Sequence, residues 1–167
     1  MPRLIKSLLM PEPLADKVLQ KIEQAAELYH RLVVVVAPAG AGKTAALQDA
    51  RERTGAPLLN VNLELSRSML ELTERQRALQ LPRLLSEIVH AAHGEVVLLD
   101  NIEVLFDVSL RQDPLRLLQA LSRNKTVVAA WSGSIDGERL VYATPDHPEY
   151  KRYPLRDFLV VSPEAAP

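Results

Sequence analysis

Residues 32–44 read LVVVVAPAGAGKT. The run from Leu32 to Val36 is apolar, mostly β-branched, and has no polar alternation. Such a run suits a strand covered on both faces, as in a parallel sheet. Small residues from Ala37 to Gly42 break it. Helical character resumes from Lys43 to about Thr54, until Gly55, Ala56 and Pro57 stop it. A buried strand, a loop of small residues and then a helix is the setting in which G-x-x-x-x-G-K-[ST] carries meaning. The segment matches that pattern at every fixed position but the first, where Ala37 stands for Gly.

The chemistry needs these residue types. Small residues let backbone N–H groups turn inward around a β-phosphate, and the helix N-terminus adds partial positive charge. Gly40 and Gly42 can take backbone conformations closed to other residues. Pro38, Ala39, Gly40, Ala41, Gly42, Lys43, Thr44 and Ala45 are therefore the expected nucleotide-binding residues. Lys43 is placed to reach the β- and γ-phosphates, and the Thr44 hydroxyl to ligate Mg²⁺. The ordinary alternative is a strand–helix turn with an incidental lysine.

The pattern continues outward. Residues 14–29 have apolar positions at helical spacing (Leu14, Val18, Ile22, Ala25 or Ala26, and Tyr29), with Pro13 suited to a first turn. Leu58 to Val61 reads as a second strand. Residues 66–92 read as helical, with Pro82 forcing a break or a fresh start. Glu95 to Asp100 reads as a third strand, and 114–123 as a helix with Asp113 as N-cap and Pro114 at its first position. Thr126 to Trp131 is a fourth strand, Leu140 to Ala143 a candidate fifth, and Phe158 to Val161 one more apolar run. Segment 144–157 reads as an ordered loop or short helix. Strands alternating with helices mean an α/β fold with a parallel sheet.

Asp100 ends the apolar run Val96 to Leu99. A carboxylate at the C-terminal edge of a strand beside the phosphate loop is the Walker B pattern, and it can hold Mg²⁺. Asp100 and Thr44 are thus the expected metal-side residues. The group that activates water is less plain. Asn101 follows Asp100, where many such ATPases carry Glu. Asn can orient water but cannot accept its proton. Glu64, just beyond the second strand, and Glu103 rank equally as the base, with Asp107 further along the same loop. Ser132, at the end of the fourth strand, is placed to sense a γ-phosphate. Arg123, Arg111, Arg139 and Arg152 are candidates for an arginine finger, though an exposed Arg is usually only solvated.

Composition narrows the class. The 167 residues are 47% apolar, enough for one core. With 20 Lys plus Arg against 21 Asp plus Glu, the net charge is -1. That balance argues against a strongly basic nucleic-acid clamp. The sparse basic group Arg75, Arg77 and Arg83 could touch DNA phosphates, but Glu71, Glu74 and Glu87 dilute it. Cysteine is absent, which excludes disulfides and thiol chemistry. His90 and His93 share a helix face with no third ligand in view. The single Trp131 reads as packing rather than base stacking. No apolar run is long enough to span a bilayer, and the N-terminal MPRLIKSLLMPEP is too short and proline-broken for a signal peptide. The expectation is a soluble, cytoplasmic protein.

Several blocks carry a family resemblance: VVVVAPAGAGKT, LLNVNLELSRSMLELTERQRALQLPRLL, EVVLLDNIEVLF, VVAAWSG and ATPDHPEY. Together they make the chain, over about residues 14–161, resemble the BrxF family, the small P-loop proteins of type 3 BREX bacteriophage-exclusion systems. The second block and LLDNIEVLF are the more diagnostic. The resemblance implies a phage-defence component working beside a DNA adenine methyltransferase, a helicase and a large ATPase. It also implies that Gly40, Gly42, Lys43, Thr44 and Asp100 bind nucleotide and Mg²⁺.

The expected fold is therefore α/β: a three-layer, parallel-sheet P-loop NTPase core of the additional-strand (ASCE), AAA-like type. In that type the strand at 126–131 lies between the phosphate-loop strand and the Asp100 strand. Residues 1–30 are expected as an N-terminal helical segment and 31–167 as the NTPase domain, without a C-terminal helical lid. ATP and Mg²⁺ are the expected ligands. The expected partners are other BREX proteins and further copies of the chain, with no membrane. The leading expectation is an ATP-hydrolysing subunit of the defence complex. A nucleotide-binding assembly switch with little turnover is the second, and a small-molecule kinase the third, weakened by the lack of an Arg-rich lid segment.

Overall fold

The computed structural model describes residues 12–163. Residues 1–11, which carry most of the short N-terminal apolar stretch, and residues 164–167 lie outside the described residues.

The chain runs α1 (Leu14–Ala25), β1 (Leu32–Ala37), α2 (Lys43–Thr54), β2 (Leu58–Asn60), α3 (Val61–Ser68), α4 (Glu74–Ala91) and β3 (Val96–Asp100). Two short 3-10 turns follow, Glu103–Phe106 and Val108–Leu110. Then come α5 (Pro114–Leu121), β4 (Thr126–Ser132), β5 (Ser134–Asp136), β6 (Arg139–Tyr142), β7 (Lys151–Pro154) and β8 (Leu159–Val161). The main sheet is five-stranded in the order β2-β3-β4-β1-β8, and every pairing in it is parallel. β4 lies between β1 and β3, as the element order led us to expect.

The valine run explains why helices cover both faces. Side chains alternate across a strand, so Leu32, Val34 and Val36 face one layer while Val33 and Val35 face the other. The first layer holds α3, α4 and α5 through Val61, Leu65, Leu81, Leu85, Val89, Leu115 and Leu118. The second holds α1 and α2 through Val18, Ala25, Leu47 and Ala50. These strand and helix residues are buried in both layers, and each fully buried Val or Leu side chain contributes about 1.5–3 kcal/mol of apolar transfer.

Three expectations need correction. The helical stretch 66–92 is interrupted at 69–73 and not at Pro82, which sits inside α4. Thr73 starts α4 with a capping box: its hydroxyl accepts from Gln76 N–H at 3.2 Å, and its own N–H donates to Gln76 Oε1 at 2.9 Å. Pro82 lacks the N–H that would reach the Ala78 carbonyl. The Gln112 side chain donates to that carbonyl instead, at 2.8 Å, so the helix continues. Second, Val61 is not strand. Asn60 accepts from Leu63 N–H at 3.1 Å and starts α3 directly from β2.

Third, segment 144–157, expected as a loop or short helix, contains a strand, β7; the candidate strand at 140–143 is present as β6, outside the main sheet. β5, β6 and β7 form a separate antiparallel sheet. This sheet, rather than a helix, carries the chain from the end of β4 back to the start of β8. Its inner face lays Leu140, Tyr142 and Tyr153 on the core. Phe106 stacks on Tyr142 with centroids 3.6 Å apart and meets Trp131 edge-on at 5.0 Å. The buried Trp131 donates Nε1–H to the Val141 carbonyl at 3.1 Å, so it packs as expected.

Candidate functional site

The C-terminal ends of parallel strands are where an open α/β sheet exposes loops and helix N-termini. Here β1, β3 and β4 end side by side at Ala37, Asp100 and Ser132. A cleft of about 230 Å³ opens there, lined by Ala39, Gly40, Gly42, Lys43, Thr44, Ala45, Asp100, Asn101, Glu103 and Ser132. Residues far apart in sequence thus converge on one surface. Pro38 and Ala41 belong to the same loop without lining the cleft. Glu64 does not join them: it lines a different hollow, with Leu59, Glu87, Ile88, Ala91 and Ala92. Asp107 caps the second 3-10 turn, accepting from Ser109 N–H at 2.9 Å.

The loop geometry follows from its residues. Gly40 and Gly42 have φ of +79° and +93°, in the region L side chains rarely adopt. A Cβ at either would meet no protein atom, so packing does not require glycine there; the backbone turn does. Ala37 needs no such freedom. It is the last residue of β1, in register with Ser132, and its carbonyl accepts from Gly133 N–H at 3.2 Å. The Ala in the first motif position therefore sits in regular strand.

Lys43 crosses the loop. It is only 7% exposed, and its Nζ donates to the Ala37 and Pro38 carbonyls, each at 2.9 Å. Burial lowers its pKa below the ordinary 10.5, while the nearby Glu103 and Asp100 carboxylates pull it back up. Thr44 Oγ1 donates to Asp100 Oδ2 at 2.7 Å, and Asn101 N–H donates to Asp100 Oδ1 at 2.9 Å. Both carboxylate oxygens are thus oriented. Asn101 has φ of +52°. Asn tolerates that left-handed conformation better than Glu does, which gives its presence a conformational reason.

Tyr142 was not singled out from sequence. Burial, then Glu149 and Glu103, push its phenol up to about 12. Asn62 was also missed; it bonds to the loop after β3. The only sequence signal for it is a second polar residue, Asn62, close behind the capping Asn60. Among the finger candidates, Arg123 lies over the Tyr29 ring at 5.1 Å, just before β4 begins and so at the N-terminal end of the strands, opposite the cleft. Arg111 ends the second 3-10 turn with φ of +53°. Arg139 and Arg152 sit on the small sheet. Of the basic group, Arg83 is engaged by Glu87 at 2.9 Å and Gln80 at 2.8 Å, and Arg77 by the Leu72 carbonyl at 3.0 Å. His90 Nδ1 lies 2.7 Å from the Ser86 carbonyl. Among the described residues, no helix is long and apolar enough to cross a membrane.

No protein-family model matches the chain, and no curated protein matches it significantly.

Proposed function

We propose that the chain is a P-loop NTPase of the additional-strand, AAA-like type that binds and hydrolyses ATP with Mg²⁺. The observation that carries this reading is the junction of Lys43, Thr44 and Asp100 in one cleft, with Thr44 Oγ1 2.7 Å from Asp100 Oδ2. A buried cation across a glycine loop, at a helix N-terminus, is chemistry for phosphate. The hydroxyl and carboxylate beside it fit the protein's share of a Mg²⁺ site, since Mg²⁺ takes its remaining ligands from phosphate oxygens and water. When bound, Mg²⁺ would neutralise charge on the phosphates.

This chain's residues have separable tasks. The loop N–H groups and Lys43 bind the phosphates, and Lys43 exchanges its carbonyl partners for phosphate oxygens. Asp100, held by Thr44 and the Asn101 N–H, orients the metal side. Glu103 is the base that takes the proton of the attacking water, because it lines the cleft and Glu64 does not. Ser132 contacts the terminal phosphate, and Asn101 helps to orient water.

The BREX role rests on the resemblance of the quoted blocks to the BrxF family. In that setting the nucleotide state controls assembly with further copies or with other defence proteins. One observation favours a second reading, a nucleotide switch with little turnover: left-handed backbone at position 101 disfavours a Glu beside Asp100. Phosphate release by wild type and Lys43→Ala, with and without DNA or partner proteins, tests the enzyme. Molar mass with and without ATP–Mg²⁺ tests the assembly. Release abolished by Lys43→Ala supports hydrolysis. Tight binding and nucleotide-dependent assembly without release supports the switch. The absence of nucleotide binding by wild type would overturn both.

A further inference from the structure

Asn62 lies in the first turn of α3 and grips both ends of one loop. Its backbone N–H donates to the Asn101 carbonyl at 2.8 Å. Its Oδ1 accepts from Val104 N–H, also at 2.8 Å. Between these two anchors lie the buried Ile102 and the cleft-lining Glu103. The backbone grip at Asn101 is open to any residue except proline. The grip on Val104 depends on the side chain, because it needs an acceptor at that reach.

Val104 belongs to the opening turn of the 3-10 helix Glu103–Phe106, where backbone N–H groups lack partners within the helix. Asn62 supplies that partner from another element. Its own position is fixed in turn: Asn60 caps α3, and Asn60 is paired in register with Asp100. The end of β2, the start of α3 and the loop after β3 therefore form one hydrogen-bonded unit around Glu103.

We propose that Asn62 is a positioning residue for catalysis. By fixing where the 3-10 helix begins, it holds Glu103 in the cleft with Lys43 and Asp100. The inference rests on the hydrolysis reading above. It predicts an effect on turnover rather than on nucleotide binding, because Asn62 does not line the cleft and touches no residue of the phosphate loop in the hydrogen-bond network.

The test compares wild type, Asn62→Leu and Asn62→Asp as full chains, measuring ATP turnover, nucleotide affinity and thermal unfolding. Leu removes the acceptor at similar size. Asp keeps it, and a carboxylate is favoured in the first turn of a helix. Asn62→Leu is expected to lower kcat by on the order of 10- to 100-fold, the cost of a small misplacement, with KM and affinity unchanged. Asn62→Asp is expected to restore most of kcat. Undiminished turnover in Asn62→Leu overturns the inference. So does a loss of affinity and kcat together that Asp does not rescue, which marks a merely structural role. If wild type binds nucleotide but releases no phosphate, catalytic positioning is overturned while nucleotide binding stands. If wild type binds none, the underlying reading falls with it.

Discussion

The Thr44 hydroxyl donates to Asp100 Oδ2 at 2.7 Å, tying the first turn of α2 to the end of β3. The two residues come from separate motifs in sequence, and β4 lies between β3 and β1, the strand that leads into the Thr44 loop and helix. Their contact makes one site out of two patterns.

That contact is measurable in the ligand-free protein. Asp100 is buried, so Thr44→Val leaves one of its carboxylate oxygens without a donor. Unfolding in urea should show a loss of about 1–3 kcal/mol. Mg²⁺-dependent nucleotide affinity should fall in the same variant. Unchanged stability would show that the bond adds nothing to the fold.

Lys43 predicts a pH dependence with a definite sign. Its folded pKa lies below 10.5, so over that window the unfolded chain binds more protons than the folded one. Ligand-free stability should therefore rise with pH from the lowered pKa toward 10.5. Phosphate needs the charged amine, so nucleotide affinity should weaken over the same window. Lys43→Met should flatten the stability profile and remove the affinity. Calorimetric binding and denaturant midpoints across the alkaline range check both signs.

The two candidate bases separate cleanly. Glu103→Gln should reduce phosphate release by about 100-fold or more, in the range of general base catalysis, with binding retained. Glu64→Gln should leave release unchanged, since Glu64 lines another hollow. The reverse result would return the assignment to Glu64.

Restoring the commoner Glu after Asp100 should not help. Asn101→Glu places a residue poorly suited to φ of +52° and should cost about 1 kcal/mol in stability. Asn101→Gly should be tolerated. Thermal unfolding of the pair checks this, and equal midpoints would contradict it.

The small sheet can be tested at Gly133. A Cβ there would collide with the Val141 carbonyl and press on Trp131 Nε1. Gly133→Ala should destabilise by about 1–3 kcal/mol through overpacking and shift Trp131 fluorescence. An unchanged spectrum and midpoint would mean that β5 and β6 move aside freely.

Much of the architecture was legible because it is local. The valine run has no polar face, so it had to be covered on both sides. The glycines and lysine that follow admit few geometries, and Asp100 ends a run with the same two-sided burial. Pro114 after Asp113 marked its helix start from chemistry alone. By itself the sequence thus determined the α/β class, the strand–loop–helix unit and the glycine-rich loop with Lys43 at the start of the helix that follows it. Other features depend on distant groups. Pro82 sits inside α4, where the Ala78 carbonyl it leaves without an N–H partner accepts from the distant Gln112 side chain. β7 is a short, half-exposed strand made by pairing with β6 and by Tyr153 lying on Trp131, and a four-residue half-buried segment has too little periodicity to declare itself. The choice between Glu103 and Glu64 had no local signal at all. Only the tertiary structure separates their positions: the loop after β3, bonded to Asn62, carries Glu103 into the cleft with Lys43 and Asp100, while Glu64 on α3 lines a hollow with Glu87 and Ile88 of α4.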